Sequence, residues 1–321
     1  STWRGATQAT LERADALLKH LAEESALPAS LSKKWLDLRN ERNTLADSEK
    51  PSDMQWQSLW RRVHWLRRET LLVHPLADTG PLVFVKRVPS SFSHQLTQYF
   101  GRAARPGGGV FVLEAPGQSM KCRQLGALPT GSYLHPEVSW DGGKILFAFC
   151  DVDKAAPDYH SGPHRFYHLY EINADGTELR QLTHGDFDDF SPRYLPNGDI
   201  LFVSTRRGGF HRCGRGPCPV YTLARVKPDG SGLRVLSCHE THEWDPAILH
   251  DGRVIYTRWD YVDRDAVYYQ QLWTCKPDGS APAEYFGNYT RNPVGIWEAR
   301  PIPGSSSIMA TAAAHHAMTA G

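Results

Sequence analysis

Hydrophobic and polar positions follow two different periods along the chain, and the change falls near residue 75. Before it, apolar residues recur three and four apart. Leu11, Ala14, Leu17, Leu18 and Leu21 make one stripe, and Leu31, Trp35, Leu38 and Leu45 a second. Trp56, Leu59, Trp60, Val63 and Leu66 make a third. Such spacing places each set on one side of a helix, so residues 1–75 are predicted to be helical. The tryptophans read as packing residues rather than a cofactor box. "LVFVKR" (82–87) then reads as a strand, and "RPGGGVFVLE" (105–114) as a loop entering a strand.

Further on, the pattern becomes strand-like and repeats. "HPEVSWDGGKILFAF" (135–149), "SPRYLPNGDILFVS" (191–204) and "DPAILHDGRVIYTR" (245–258) align on Pro136, Pro192 and Pro246. Each carries a proline, then Asp-Gly or Asn-Gly, then a β-rich run. A second motif recurs between them: "YHLYEINADGTELRQLT" (167–183), "VYTLARVKPDGSGLRVLS" (220–237) and "QLWTCKPDGSAPAEYFG" (271–287). Alternating apolar residues that meet Asp-Gly predict a hairpin. "VFVLEAPGQSMKCRQLGAL" (110–128) reads as a degraded earlier copy.

Each period therefore holds about four short antiparallel strands, the content of a propeller blade. A four-stranded unit cannot bury both faces alone, so it stacks on its neighbours. The predicted fold is mainly β: a β-propeller preceded by a helical segment, with domains at 1–75 and 76–321. Roughly three and a half blades are visible in the repeat. A fourth unit opens at "EARPIPGSSSIMATAAAHHAMTAG" (298–321) and stops. An open ring leaves unpaired strand edges, so the remaining blades are expected in missing sequence or another chain.

Composition narrows the partners. The 36 Lys and Arg balance 35 Asp and Glu, which gives no footprint for nucleic acid. Arg61, Arg62, Arg67 and Arg68 read as a solvated helix face. No apolar run is long enough to span a bilayer, and no signal peptide is visible. The chain begins at Ser1 rather than Met, so an N-terminal segment is expected to have been removed or left out. Six cysteines stand at 122, 150, 213, 218, 238 and 275; an even count fits disulfides in an exported protein. No Ser-His-Asp arrangement, Walker loop or dinucleotide fingerprint is visible, and "PGGGV" lacks the helix that a phosphate loop needs.

The repeats with proline, then Asp-Gly or Asn-Gly, then Ile resemble the PD40 repeats of TolB-like propellers. The ordered set "PLVFVKR", "SHQLTQYFGRAARPGGGVFVLE", "RCG", "HEWDPAILHDGRVIYTRWDYVDR" and "AAAHHAMTAG" resembles the hydrazine synthase alpha-subunit family, over roughly residues 65–321. The resemblance implies an exported propeller. It also implies association with a c-type haem near a metal ion, and with other protein subunits such as c-type cytochromes. The chain departs from the pattern in having no Cys-x-x-Cys-His, so a c-type haem must come from missing sequence or a partner.

Cys213 and His242 look similar, by motif, to the Cys and His that the family uses near its haem. Thiolate and imidazole are ordinary zinc ligands, and Glu243, Asp245 or His211 offer a third. The alternative is a Cys213–Cys218 disulfide closing the "GRGP" loop, which removes Cys213 as a thiolate. His315 and His316, adjacent on a strand, would face opposite sides and cannot easily share an ion. Trp244, Trp259 and Tyr261 read as blade packing. His135, Asp245 and Glu298 begin the units' first strands and are placed near a central channel. Two functions follow. One is the propeller part of an exported, hydrazine-synthase-like, haem-associated redox complex, an oxidoreductase component. The other is a non-catalytic propeller scaffold or binding module.

Overall fold

The computed structural model describes residues 2–24, 26–90, 97–157, 164–209, 219–260, 269–287 and 290–314. They fall into two compact units, one of residues 1–82 with 114–121 and one of 83–113 with 122–321.

The first unit is built on three helices, α1 (Trp3–Glu23), α2 (Ala29–Ala46) and α3 (Asp53–Leu71). Thr2 caps α1 by accepting the Gly5 N–H, and Ser52 with Gln55 forms a reciprocal capping box on α3. The stripes bury Leu11, Ala14, Leu31, Trp35, Trp56, Leu59 and Val63 against one another in a core of their own. Trp35 keeps its indole N–H satisfied through the Thr70 hydroxyl at 2.8 Å, as a buried tryptophan requires. Of the basic cluster, Arg62 pairs with Glu41 and Arg68 lies over the Trp65 ring. Among the described residues, no helix is long and apolar enough to cross a membrane.

The second unit is a β-propeller of four blades. The first is β1 (Leu82–Arg87), β2 (Gly108–Leu113) and β3 (Cys122–Gln124). The second is β4 (Gly131–Val138), β5 (Lys144–Asp151), β6 (His168–Asn173) and β7 (Arg180–Gln181). The third is β8 (Asp189–Tyr194), β9 (Ile200–Ser204), β10 (Thr222–Val226) and β11 (Arg234–Val235). The fourth is β12 (His242–Ile248), β13 (Val254–Trp259), β14 (Gln270–Cys275) and β15 (Ala283–Phe286). A further antiparallel pair, β16 (Gly295–Pro301) and β17 (Ile308–Ala313), joins the fourth blade through one parallel bridge, Gln270 to Gly295. The blade count exceeds the repeat count because β1–β3 make a sheet without carrying the proline motif.

The Asp-Gly signals are the hairpins. At Asp175, Asp229 and Asp278 the carboxylate accepts the N–H two residues on, each at 2.9 Å. The following Gly176, Gly230 and Gly279 take φ of 93°, 85° and 84°, open only to glycine at no cost. Blades are stitched to their neighbours by backbone: the Asp189 N–H donates to the Tyr167 carbonyl, and the Glu243 N–H to the Tyr221 carbonyl, both at 2.8 Å. Buried Leu134, Leu146, Phe190, Phe202, Tyr221 and Trp244 fill the space between sheets.

Candidate functional site

The first strands of the second, third and fourth blades, β4, β8 and β12, and the first strand of the further pair, β16, lie beside one another in that order, which is the position of the strands that line a propeller's axis. Each breaks its ladder at the same place. The pairing shifts between Leu134 and Glu137, Phe190 and Arg193, Trp244 and Ala247, and Trp297 and Arg300. The first residue of each two-residue gap is His135, Ser191, Asp245 and Glu298, with φ of 47°, 50°, 49° and 53°. None is glycine. A side chain in the left-handed region costs on the order of 1–3 kcal/mol, and such residues gather at functional sites. Four in register make a ring of strained, polar positions.

The ring members cap one another. The Ser191 N–H donates to His135 Nδ1 at 3.3 Å, and the Glu298 N–H donates to the Asp245 carboxylate. Two residues on, Arg193 donates through Nε to the Pro246 carbonyl at 2.8 Å and lies 3.4 Å from Glu137 Oε2. Arg300 reaches the same Pro246 carbonyl at 3.4 Å. Tyr99 closes the cluster, its ring 5.0 Å from His135 and 5.2 Å from Phe190. Ser191 is 1% exposed, and its hydroxyl meets no partner among the described residues. A buried, unbonded hydroxyl costs free energy unless something outside the chain satisfies it.

Burial sets the protonation of the ring. It pushes the Asp245 carboxyl up to about 6, with the Glu298 charge adding to it and Arg193 and Arg300 opposing. Burial also drives His135 well below the usual histidine range, helped by Arg193, Arg87 and Arg300. It pulls Arg193 down to about 10 against the pull of Glu137, and raises Tyr99. Burial thus keeps the His135 imidazole neutral and lets the Asp245 carboxyl exchange its proton near pH 6, at equivalent positions of two first strands.

Sequence reasoning named His135, Asp245 and Glu298, and they occupy equivalent places here. It passed over Ser191, which precedes Pro192 as His135 precedes Pro136. It had no route to Tyr99, Arg87, Arg193 or Arg300. The other candidates lie elsewhere. His242 is buried among Tyr221, Trp244 and Trp259, at ring separations of 5.0, 5.2 and 6.2 Å. Its Nδ1 accepts the Tyr221 N–H at 3.1 Å. In the repeat it matches Asp188, which accepts the Tyr167 N–H at 2.9 Å, so both hold the same blade-to-blade clamp. With Nδ1 accepting, a neutral His242 carries its proton on Nε2. That form is not ready to ligate zinc. The Glu243 carboxylate is taken up by the Leu223 N–H, the Ser237 hydroxyl and His239. Trp244 and Trp259 are core residues. Cys213, Cys218, His211, Tyr261, His315 and His316 lie outside the described residues. Among the described cysteines, Cys150, Cys238 and Cys275 form no disulfide.

No family model matches the chain, and no curated protein matches it. Solved structures do. Kuenenia stuttgartiensis hydrazine synthase aligns with a TM-score of 0.54 at 16% identity, over 69% of this chain and 34% of that one. A putative TolB from Agrobacterium tumefaciens gives 0.40 at 19% identity, over 57% and 60%. TolB from Acinetobacter baumannii gives 0.44 at 10% identity, over 81% and 56%. The chain thus spans about a third of the hydrazine synthase chain and under two thirds of either TolB. At these identities the likeness is one of fold.

Proposed function

We propose that this chain is a propeller subunit whose axial ring binds a small polar ligand and exchanges a proton with it, within an exported, haem-associated complex of the hydrazine synthase kind. The observation that carries the reading is the ring itself. Four non-glycine residues hold a costly backbone conformation, and they include a buried Ser191 hydroxyl that meets no partner among the described residues and an Asp245 carboxyl pushed up to about 6. Glycine would serve the bulges at less cost, so the side chains are kept for what they present. Motif order and fold support the family part of the reading.

The chain's own residues do not fit covalent haem attachment, because none of the six cysteines stands in Cys-x-x-Cys-His. The haem belongs to a c-type cytochrome partner or to sequence outside these residues. Zinc at Cys213 and His242 would require the His242 ring to release the Tyr221 N–H.

A second reading, a binding module without chemistry, draws on the ring's own hydrogen bonds: His135 and Asp245 each satisfy a neighbouring backbone N–H. One experiment separates the two. The natural full-length protein is isolated from its host and its absorption spectrum recorded, beside an Asp245→Asn form. A Soret band in both, with turnover lost only in Asp245→Asn, supports the redox reading. A folded, haem-free protein that retains its partners in both forms leaves the binding module.

A further inference from the structure

A second cluster of ligand-type side chains lies in the helical unit. His20 and Glu24 stand one turn apart at the end of α1, and His74 follows α3. Their donor atoms all lie within 4.8 Å of one another. His74 Nε2 is 2.9 Å from Glu24 Oε2, and His20 Nε2 is 3.7 Å from Glu24 Oε1. The two imidazoles stack at 5.5 Å with planes 9° apart. An imidazole binds a metal through the lone pair in its ring plane, so the exposed His20 ring would turn out of this alignment on loading.

We propose that His20, Glu24 and His74 form a binding site for a divalent cation of the zinc type, which pins the end of α1 to the segment after α3. Two imidazoles and one carboxylate are a common zinc donor set, completed by water. Ligand atoms of a tetrahedral zinc lie roughly 3.3 Å apart, given bonds of about 2.0–2.2 Å, within the range these three donors span. The site also stands at the C-terminal end of a helix of 21 residues, where the macrodipole favours a cation. His20 and Glu24 are 55% and 48% exposed and His74 13%, so an ion has a path in and little chain must move.

Loading has a signature. His74 Nδ1 accepts the Leu76 N–H at 3.0 Å, so the neutral ring holds its proton on Nε2 and shares it with Glu24. Coordination through Nε2 moves that proton to Nδ1 and breaks the bond from Leu76. That bond is exposed, so water replaces it at small cost.

The full chain, stripped with chelator, is titrated with zinc alone. Calorimetry, thermal melting and the amide resonance of Leu76 are followed in wild type, His20→Ala and His74→Gln. The expected result is one equivalent present in wild type and lost in both variants. The melting temperature should rise by at least about 2 °C on loading, and Leu76 should shift only in wild type. His20→Ala removes an exposed side chain, so the apo melting temperature should stay near wild type. Zinc binding unchanged in both variants, or no saturable binding with Leu76 unmoved, overturns the site. Neither outcome bears on the axial ring.

Discussion

Asp245 presents the residue-scale problem: a carboxylate 8% exposed, with its own carboxyl pushed up to about 6 by burial and by Glu298. The sign of its effect follows from the shift. Its folded value lies above the ordinary 3.8, so it favours folding when protonated and loses that contribution as pH rises from about 4 to 6. At pH 8 the ionised, buried form costs on the order of 3 kcal/mol. Asn keeps an oxygen for the Glu298 N–H and tolerates positive φ. Asp245→Asn should therefore stabilise the chain at pH 8 by about 1–3 kcal/mol and change it little at pH 4. Urea unfolding at the two pH values checks this. Equal destabilisation at both would mean that Arg193 and Arg300 hold the charge favourably. A gain at pH 8 is what a residue kept for function at the expense of stability gives.

At the scale of the element, the bulged first strand carries the argument. Ser191 stands at φ 50°, where glycine meets no steric penalty and a β-branched residue a large one. Ser191→Gly should stay within about 1 kcal/mol of wild type, while Ser191→Val should cost about 1–3 kcal/mol more. If thermal melting finds the two substitutions equal, the strain is not there. The blades themselves were legible, because Asp-Gly after an alternating run dictates a hairpin and the proline motif marks each first strand. The three helices were legible from their stripes. The bulges were not: a residue before proline ordinarily takes extended backbone, so nothing in "HPEV", "SPRY" or "DPAI" announces positive φ. Residues 114–121 joining the helical unit had no periodic signal either. His242 was legible as a special histidine, but its match with Asp188, which assigns it to a clamp, needed the fold. Tyr99 and Arg87 enter the ring from outside the repeat, and only tertiary structure brings them there.

For the whole molecule, pH sums these groups with opposite signs. Burial pushes Asp188 up to about 7 despite the N–H bonds from Tyr167 and Gly101, and Asp245 up to about 6. Both carboxyls contribute less as pH rises from about 4 through those values. His135 acts on the other side. Its folded value lies well below 6.5, so it favours folding while neutral and loses that contribution as pH falls below 6.5. The turn carboxylates Asp141, Asp175, Asp229 and Asp278 are held low by hydrogen bonds within their turns, and their contribution also fades in acid. Between about pH 4.5 and 6.5 two carboxyls lose what one histidine gains, so the unfolding free energy should peak in mild acid, roughly between pH 4 and 5, and decline in both directions. His135→Asn offers the means to take the profile apart. Asn supplies an acceptor for the Ser191 N–H and tolerates φ 47°, yet has nothing to protonate. It should make the decline between about pH 5 and 6.5 steeper, because the rise that His135 supplies there is gone, whereas Asp245→Asn should make it shallower. Urea unfolding from pH 3 to 9 on the three proteins reads both effects. A wild-type maximum at pH 8 or above would mean that the buried carboxyls are held as anions, and the axial ring would then be a fixed charge rather than a proton-exchanging one.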